Sequence, residues 1–390
     1  MLSRRLPRDT RPNPIADALA RRPPGAGALL DLTETNPTRV GLSDKGDAGA
    51  ALAEAAGVPY EPRAAGAAAA REAVAASYVE RGLRAEARDV VLTASTSEAY
   101  AHLLRLLCEP GDAVAVPHPG YPLLEPLAAL EGVELRPYRL DFDGAWHLDA
   151  DSLARALDTR TRAVVVVQPN NPTGSCLSPI EIGQAESLCA RHGAALIADE
   201  VFGEFPRPGA PAMASLLGPR AVPTFVLGGI SKSCGLPQMK VGWVVAAGPA
   251  AARAEALSGL EWIADLFLSV SSPAQSALPR WLAARSAFQG RVGARIERNL
   301  AAVETLARSA PEVTAPPAHG GWMQVLRVPR TRGDEAWALD LLRRGVLVHP
   351  GYFYDFADDG YLVVSLLPEP AAFAEAMTRV AECVRTAAAG

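Results

Sequence analysis

Ser231-Lys232-Ser233-Cys234-Gly235-Leu236-Pro237-Gln238-Met239-Lys240-Val241-Gly242-Trp243 is the stretch on which the reading of this chain turns. It follows an apolar run at 224–227 and a Gly228-Gly229 pair, a pattern that predicts a buried strand running into a tight loop. Lys232 stands there among small residues, with no acid nearby in sequence. A lysine held in a largely desolvated loop loses proton affinity and becomes a usable amine nucleophile, as Schiff-base chemistry requires. Lys240 lies eight positions on, past Pro237, where it can meet an anion carried by whatever Lys232 holds. Lysines after strands are commonly solvated surface groups, so the chemistry depends on what stands upstream.

Upstream, residues 162–167 form a β-branched run, apolar on both faces, as a central parallel strand requires. It ends in Gln168-Pro169-Asn170-Asn171-Pro172-Thr173-Gly174. A second run, 194–198, ends in Asp199-Glu200-Val201-Phe202. Each polar cluster stands where a buried strand stops, the edge at which open parallel sheets bind ligands. A helical segment at 180–192 separates the two runs, which predicts βαβ units and an α/β fold. A shorter strand at 89–93 feeds Ser95-Thr96-Ser97-Glu98, spaced as a capping box, and Ala99, Leu103, Leu106 and Leu107 then share one helical face. That helix N-terminus suits a phosphate, or is a well-capped helix with no ligand. A strand at 113–116 ends in Pro117-His118-Pro119-Gly120-Tyr121-Pro122, which holds Tyr121 on a rigid loop as a stacking platform or as a plug.

The chain has 390 residues, room for a large α/β domain and a second, smaller one. Hydrophobic content of 49% with 21% charge is that of an ordinary globular protein. A net charge of −5, with no basic run beyond pairs such as Arg343-Arg344, argues against nucleic acid as a partner. No stretch reaches the apolar length of a membrane helix; the alanine-rich 64–76 is broken by Gly66, Arg71 and Glu72. Residues 1–14 carry arginines and prolines without an apolar segment, so no secretory signal is expected. Five cysteines (108, 176, 189, 234 and 383) show no metal-ligand spacing. They predict free thiols, a cytoplasmic location and no metal site.

The proline-rich 12–37 reads as an extended arm leading to the loop Thr33-Glu34-Thr35-Asn36-Pro37-Thr38-Arg39. Tyr60-Glu61-Pro62-Arg63-Ala64-Ala65-Gly66 is a turn before a helix at 67–81, closed by Gly82. Beyond Trp243 a strand at 244–247 leads into helices. Arginine-rich helix over 278–306 bridges to strands near 322–328, 346–348 and 361–366. The expected division is a large domain over 46–280 and a small α+β domain made of 1–45 and 281–390.

The clusters around Asn171, Asp199 and Lys232, in that order and 28 and 33 residues apart, closely resemble the fold-type I, pyridoxal-5′-phosphate-dependent aminotransferases of class I/II. The resemblance runs over about residues 31–366. It implies a large domain with a mostly parallel central sheet flanked by helices, plus a smaller α+β domain. It implies that Lys232 forms the Schiff base and later shuttles a proton, and that Asp199 pairs with the pyridine nitrogen, so the ring can accept electrons. Asn171 would bond the ring oxygen and Tyr121 would stack on the ring. Ser95, Thr96, Ser97, Ser231 and Lys240 would hold the phosphate, with Lys240 where the family usually has arginine; a lysine serves as a point charge without the bidentate fork. Tyr60 resembles a tyrosine that reaches the phosphate of the neighbouring subunit, which implies a homodimer.

Two positions depart from the family pattern. Phe202 stands where a tyrosine usually donates a second bond to the ring oxygen. Val363, in Tyr361-Leu362-Val363-Val364-Ser365, stands where an arginine usually clamps the substrate carboxylate. Arg39, beside Asn36, is the first candidate for a substitute and Arg327 the second. The implied activity is transamination between an amino donor and an oxo acceptor. A lyase, decarboxylase or oxidase on the same cofactor is the alternative that the missing arginine raises. A cofactor-sensing regulator is disfavoured, because the first forty residues are too short and proline-rich for a DNA-binding domain.

Overall fold

Residues 163–166 point their side chains alternately into two separate cores, and the large sheet is built on this alternation. In chain order the strands of the computed structural model are β1 (Leu30–Asp31), β2 (Val90–Thr93), β3 (Ala113–His118), β4 (Glu134–Phe142), β5 (Trp146–Leu148), β6 (Thr161–Val167), β7 (Ala195–Asp199), β8 (Thr224–Gly229), β9 (Gly242–Ala247), β10 (Met323–Arg327), β11 (Val346–Leu347), β12 (His349–Pro350) and β13 (Tyr361–Ser365). The structure describes residues 3, 5, 6, 11–23, 25, 27–43 and 45–388. The reading of 1–14 as free of a secretory signal, and the outer limits 1 and 390 of the small domain, fall partly or wholly outside that set.

The large sheet has the order β2-β9-β8-β7-β6-β3-β4-β5. Strands β4, β3, β6, β7 and β8 run parallel, β9 runs against both its neighbours, and β5 runs against β4. Ala163, Val165, Ala195, Ile197, Phe225 and Leu227 face one core, beneath the helices Thr96–Leu107 and Ala250–Asp265. Val164, Val166, Leu196, Ala198 and Val226 face the other, beneath Ala68–Val79, Pro179–His192 and Ser272–Ala283. Burial on both faces is why these strands show no polar side in sequence. The register sets Val167 opposite Asp199 and Asp199 opposite Leu227, so β6, β7 and β8 end level with one another.

The connecting helix Pro179–His192 shows how local chemistry fixes these ends. Ser178 accepts from the Glu181 N–H and the Glu181 carboxylate accepts from the Ser178 N–H, Pro179 occupies the first turn, and Gly193 closes the helix at φ +66°. Such a cap is worth about 1 kcal/mol.

A third core gathers Trp322, Leu326, Leu362, Val364, Phe373 and Val380. It packs the antiparallel sheet β10-β13-β12 against the helices Arg285–Ser309, Asp334–Arg343 and Pro370–Ala388, and β1 joins it by pairing parallel to β11.

Several local expectations change. The N-terminal arm is not wholly extended: Pro14–Ala20 is a helix, started by Asn13 capping the Ala16 N–H with Pro14 at its first position. Lys232 lies on one helical turn, Ile230–Ser233, rather than in an irregular loop. The box at Ser95 is shifted: Ser95 caps Glu98, but the Glu98 carboxylate turns back to the Ala94 N–H at 2.6 Å and takes the Ser269 hydroxyl at 2.6 Å. The hairpin β4–β5 adds two strands beyond those expected from the sequence; Tyr138, Leu140 and Phe142 alternate along β4 with the charged Arg139 and Asp141.

Candidate active site

Where the parallel strands end, their trailing residues enclose a cavity of about 410 Å³, a usual size for a cofactor or small-ligand pocket. Thr96, Tyr121, Asn171, Asp199, Phe202 and Lys232 all line it. They come from the ends of five strands: Thr96 after β2, Tyr121 after β3, Asn171 after β6, Asp199 and Phe202 at and after the end of β7, and Lys232 after β8.

Adjacent residues in these clusters divide the work. Asn170 is committed to the scaffold: its amide nitrogen donates to the Pro119 carbonyl at 3.3 Å, and its oxygen accepts from the Thr173 N–H and hydroxyl. Asn171 faces the cavity, and its buried Oδ1 has no hydrogen-bond partner. Glu200 likewise turns away from the cavity, accepting from the Leu216 N–H at 2.8 Å and the Ser215 hydroxyl at 2.7 Å. Asp199 turns inward, with Oδ1 accepting from the Val201 N–H at 3.1 Å and Oδ2 from the Tyr100 hydroxyl at 3.0 Å.

Lys232 and Asp199 adjust one another. Burial pushes the Lys232 amine below its ordinary value, and the Asp199 charge only partly restores it. Burial pushes the Asp199 carboxyl up, held back by the Val201 and Tyr100 hydrogen bonds and then by the lysine. The Lys232 amine sits 5.4 Å from the Phe202 ring centre and 5.0 Å from that of Trp322, which meet edge to face. A nucleophilic amine walled by aromatic rings and faced by one carboxylate is suited to condense with a carbonyl.

The expected phosphate end is built on close backbone approach. The helix after Ser95 makes its first internal bond from Ala99, which leaves the Thr96 and Ser97 N–H groups without an intrahelical acceptor. A side chain at Gly242 would strike the Ser95 carbonyl carbon at 2.9 Å, and one at Gly229 would meet Gly242 at 3.3 Å. Glycine at both positions lets that helix end meet the segments carrying Ser231 and Lys240. Ser231 is partly buried and Lys240 exposed, with Lys240 in the left-handed region at φ +55°. Ser95, Ser97, Ser231 and Lys240 do not themselves line the cavity.

The remaining candidates lie further off. Tyr60 is 72% exposed, on a turn against residues 264–270. Asn36 closes its own turn, accepting from the Thr38 N–H and hydroxyl. Arg39 is exposed and paired with Glu34 at 3.0 Å. Neither lines the cavity, but Thr35, between Glu34 and Asn36, does. Val363 is fully buried in β13 opposite Val325, and Arg327 lies over the Phe142 ring at 4.8 Å. Sequence reasoning passed over Tyr100, Trp322, Tyr354 and Asp355. Tyr100 lies on the apolar face of its helix, where the spacing reads as core, and the others stand in loops or a small-domain turn far along the chain.

The fold is that of fold-type I pyridoxal-phosphate aminotransferases. An alanine aminotransferase from Pyrococcus furiosus superposes with a TM-score of 0.85 at 22% identity, covering 92% of this chain and 93% of that one. The chain belongs to the aminotransferase class I and II family, whose profile matches residues 50–379. It is similar to tyrosine aminotransferase of Caenorhabditis elegans, 28% identical over 84% of this chain and 71% of that protein. It is also similar to the nicotianamine aminotransferase B of Hordeum vulgare, 35% identical over 48% of this chain. That match spans 34% of the Hordeum protein, and matches to two further nicotianamine aminotransferases span 45% and 40% of theirs.

Members of this family use pyridoxal 5′-phosphate. The residues present fit that group: a cavity-facing lysine amine, an inward carboxylate, an unpartnered Asn171 amide and a glycine-lined approach to free N–H groups. Among the described residues no cluster with metal-ligand character occurs, and no helix is long and apolar enough to cross a membrane.

Proposed function

We propose that the protein is a pyridoxal-phosphate-dependent aminotransferase, moving an amino group from an amino acid or amine donor to an oxo acceptor. The observation that carries this is the placing of Lys232, Asp199 and Asn171 around one cavity at the carboxyl edge of a parallel sheet. Pyridoxal phosphate, when bound, supplies an aldehyde for the amine and a ring that accepts electrons. In this reading Asp199 holds a proton on the ring nitrogen. The Asn171 amide meets the ring oxygen and Tyr121 covers one face of the ring, with Phe202 a further wall. The Thr96 and Ser97 N–H groups, with Ser95, Ser231 and Lys240, hold the phosphate. Lys232 Nζ, with its proton affinity lowered by burial, takes the proton from the donor's reacting carbon and returns it on the cofactor side.

The substrate end is read from what lines it. Among the described lining residues there is no arginine; His118, Glu125 and Asp355 stand there with Leu123, Leu124 and Val116. We assign Asn36 and Arg39 to the substrate side on the support of Thr35, which brings their loop to the cavity wall. The large domain is assigned to 46–280 and the small one to 1–45 and 281–390, a division supported by the packing of one face of the small sheet, with Leu326, Leu362 and Val364, against the helices that follow it. The working unit is assigned as a cytoplasmic homodimer. The dimer is supported by the exposed apolar set of Tyr60, Trp262, Leu266 and Phe267, and in this reading Tyr60 reaches the neighbouring subunit's site.

The test is absorbance of the loaded protein on anaerobic addition of a panel of amino acids and amines, with Lys232→Ala as control. Loss of the visible band with one donor and its return with a 2-oxo acid or aldehyde is expected. Aspartate should be among the slowest donors, since the cavity offers no guanidinium for a second carboxylate. A band that returns only when oxygen is admitted would overturn the reading.

A further inference from the structure

Asp199 receives two hydrogen bonds from the protein, and the donors differ in kind. The Val201 N–H is backbone, which any sequence supplies. The Tyr100 hydroxyl is a side chain sent across from the helix Thr96–Leu107, the same helix whose first turn is assigned to the phosphate. Tyr100 packs its ring in the core between that helix and the sheet and brings its hydroxyl to the cavity wall, 3.0 Å from Asp199 Oδ2.

We infer that Tyr100 is a positioning residue: its hydroxyl keeps Asp199 ionised and oriented, and thereby sets how firmly the ring nitrogen of the bound cofactor holds its proton. This rests on the assignment of Asp199 as the partner of that nitrogen. A carboxylate in this setting is costly to ionise and stays charged only with donors around it. Lys232 is one such support, but its bonding changes during turnover, whereas Tyr100 stays fixed in the core. The groups facing Asp199 are Tyr100 from the helix, Lys232 from the turn after β8 and the Val201 N–H; Tyr138, which faces Tyr100 from β4, is committed to the Val165 carbonyl at 2.8 Å. Burial and the neighbouring carboxylate keep the Tyr100 phenol protonated, so it acts as a donor throughout.

The experiment loads wild type, Tyr100→Phe and Asp199→Asn with pyridoxal phosphate labelled with ¹⁵N in the ring and follows the nitrogen chemical shift against pH. Thermal unfolding serves as a folding check. Wild type should hold the ring proton to high pH, and Asp199→Asn should lose it across the range. Tyr100→Phe should show a partly unprotonated ring nitrogen already at neutral pH, where wild type is fully protonated, because a buried carboxylate that has lost a donor draws the shared proton onto itself; one hydrogen bond to a buried charge shifts that balance about ten- to a hundred-fold. A Tyr100→Phe curve that superposes on wild type, with Asp199→Asn deprotonated, overturns the inference and leaves the Asp199 assignment standing. An Asp199→Asn protein that keeps the ring proton removes that assignment, and the inference with it. Should Tyr100→Phe fail to load, Tyr100→His, which retains a ring donor, decides by whether its nitrogen shift at neutral pH lies near the wild-type value.

Discussion

Gly228→Ala tests whether the strand that delivers Lys232 is held by close packing rather than by hydrogen bonding alone. Gly228 lies directly opposite Trp243 in the β8–β9 pair. A methyl group there would sit 2.4 Å from the indole Nε1, 2.7 Å from Cε2 and 2.9 Å from Cζ2. The indole would have to move by about 1 Å to restore ordinary contact. Trp243 is buried, and its Nε1–H donates to the Tyr78 hydroxyl at 3.1 Å, itself buried. Overpacking of this kind costs about 1–3 kcal/mol. Leaving the indole and phenol unpaired costs roughly 1–3 kcal/mol more. The expected loss is therefore about 2–6 kcal/mol, read as a lower urea midpoint with unchanged slope. Because β8 runs straight into the turn Ile230–Ser233, affinity for pyridoxal phosphate should fall as well. Adding Trp243→Phe makes room for the methyl group, so the double variant should be more stable than the two single losses summed, by roughly 1 kcal/mol or more. A Gly228→Ala protein within about 0.5 kcal/mol of wild type, or an additive double variant, would refute the packing argument.

Two further outcomes concern the site. Phe202→Tyr adds a hydroxyl to a ring already at the cavity wall, supplying a second donor to the ring oxygen of the cofactor. The pH midpoint of the visible band of the loaded protein should fall by about one unit, and an unchanged midpoint would show that residue 202 does not reach that oxygen. The second concerns capture of the cofactor by the apo protein, which requires the neutral Lys232 amine. Burial lowers its proton affinity, so the capture rate should level off below pH 10.5, the ordinary lysine value. Asp199 favours the charged amine, so Asp199→Asn should move the plateau to still lower pH. A rate that climbs steadily through pH 10.5 in wild type would show a solvated lysine.

The large sheet was legible because its strands are buried on both faces. The valines at 164–167 and the run Ala195-Leu196-Ile197-Ala198 have no polar alternation to confuse them with an exposed strand, and the residues that follow each run carry the chemistry. The helix Pro14–Ala20 was obscured by its prolines, since Pro14 sits at the one helical position where a missing N–H costs nothing. Tyr100 was obscured for the opposite reason. Its ring obeys the apolar period of the helix Thr96–Leu107, and only the three-dimensional packing shows that its hydroxyl emerges beside Asp199 on another strand. The partition of Asn170 and Glu200 to the scaffold, and of Asn171 and Asp199 to the cavity, follows from which side each residue faces at the strand end, which the sequence alone leaves open.

The substrate end of the cavity has a different physical origin. The cofactor end is made from strand termini, whose positions are fixed by the register of a buried sheet. The opposite wall is made from Thr35 in the turn after β1, His118 at the end of β3, Glu125 in the helix Leu124–Glu131, and Tyr354 and Asp355 at the end of a small-domain turn, so of these only His118 is held by the register of the sheet. His118 and Asp355 approach to 3.7 Å, and burial lowers the His118 imidazole below its ordinary value, against the pull of Asp355 and Glu125. Near neutral pH that wall therefore carries more negative than positive charge. Among the described residues lining the cavity, Lys232 is the one lysine or arginine, and Arg39 stands on the loop that carries Thr35 to the wall. Glu125 and Asp355 at this wall disfavour an anionic group by charge repulsion, and Leu123 and Leu124 offer apolar contact.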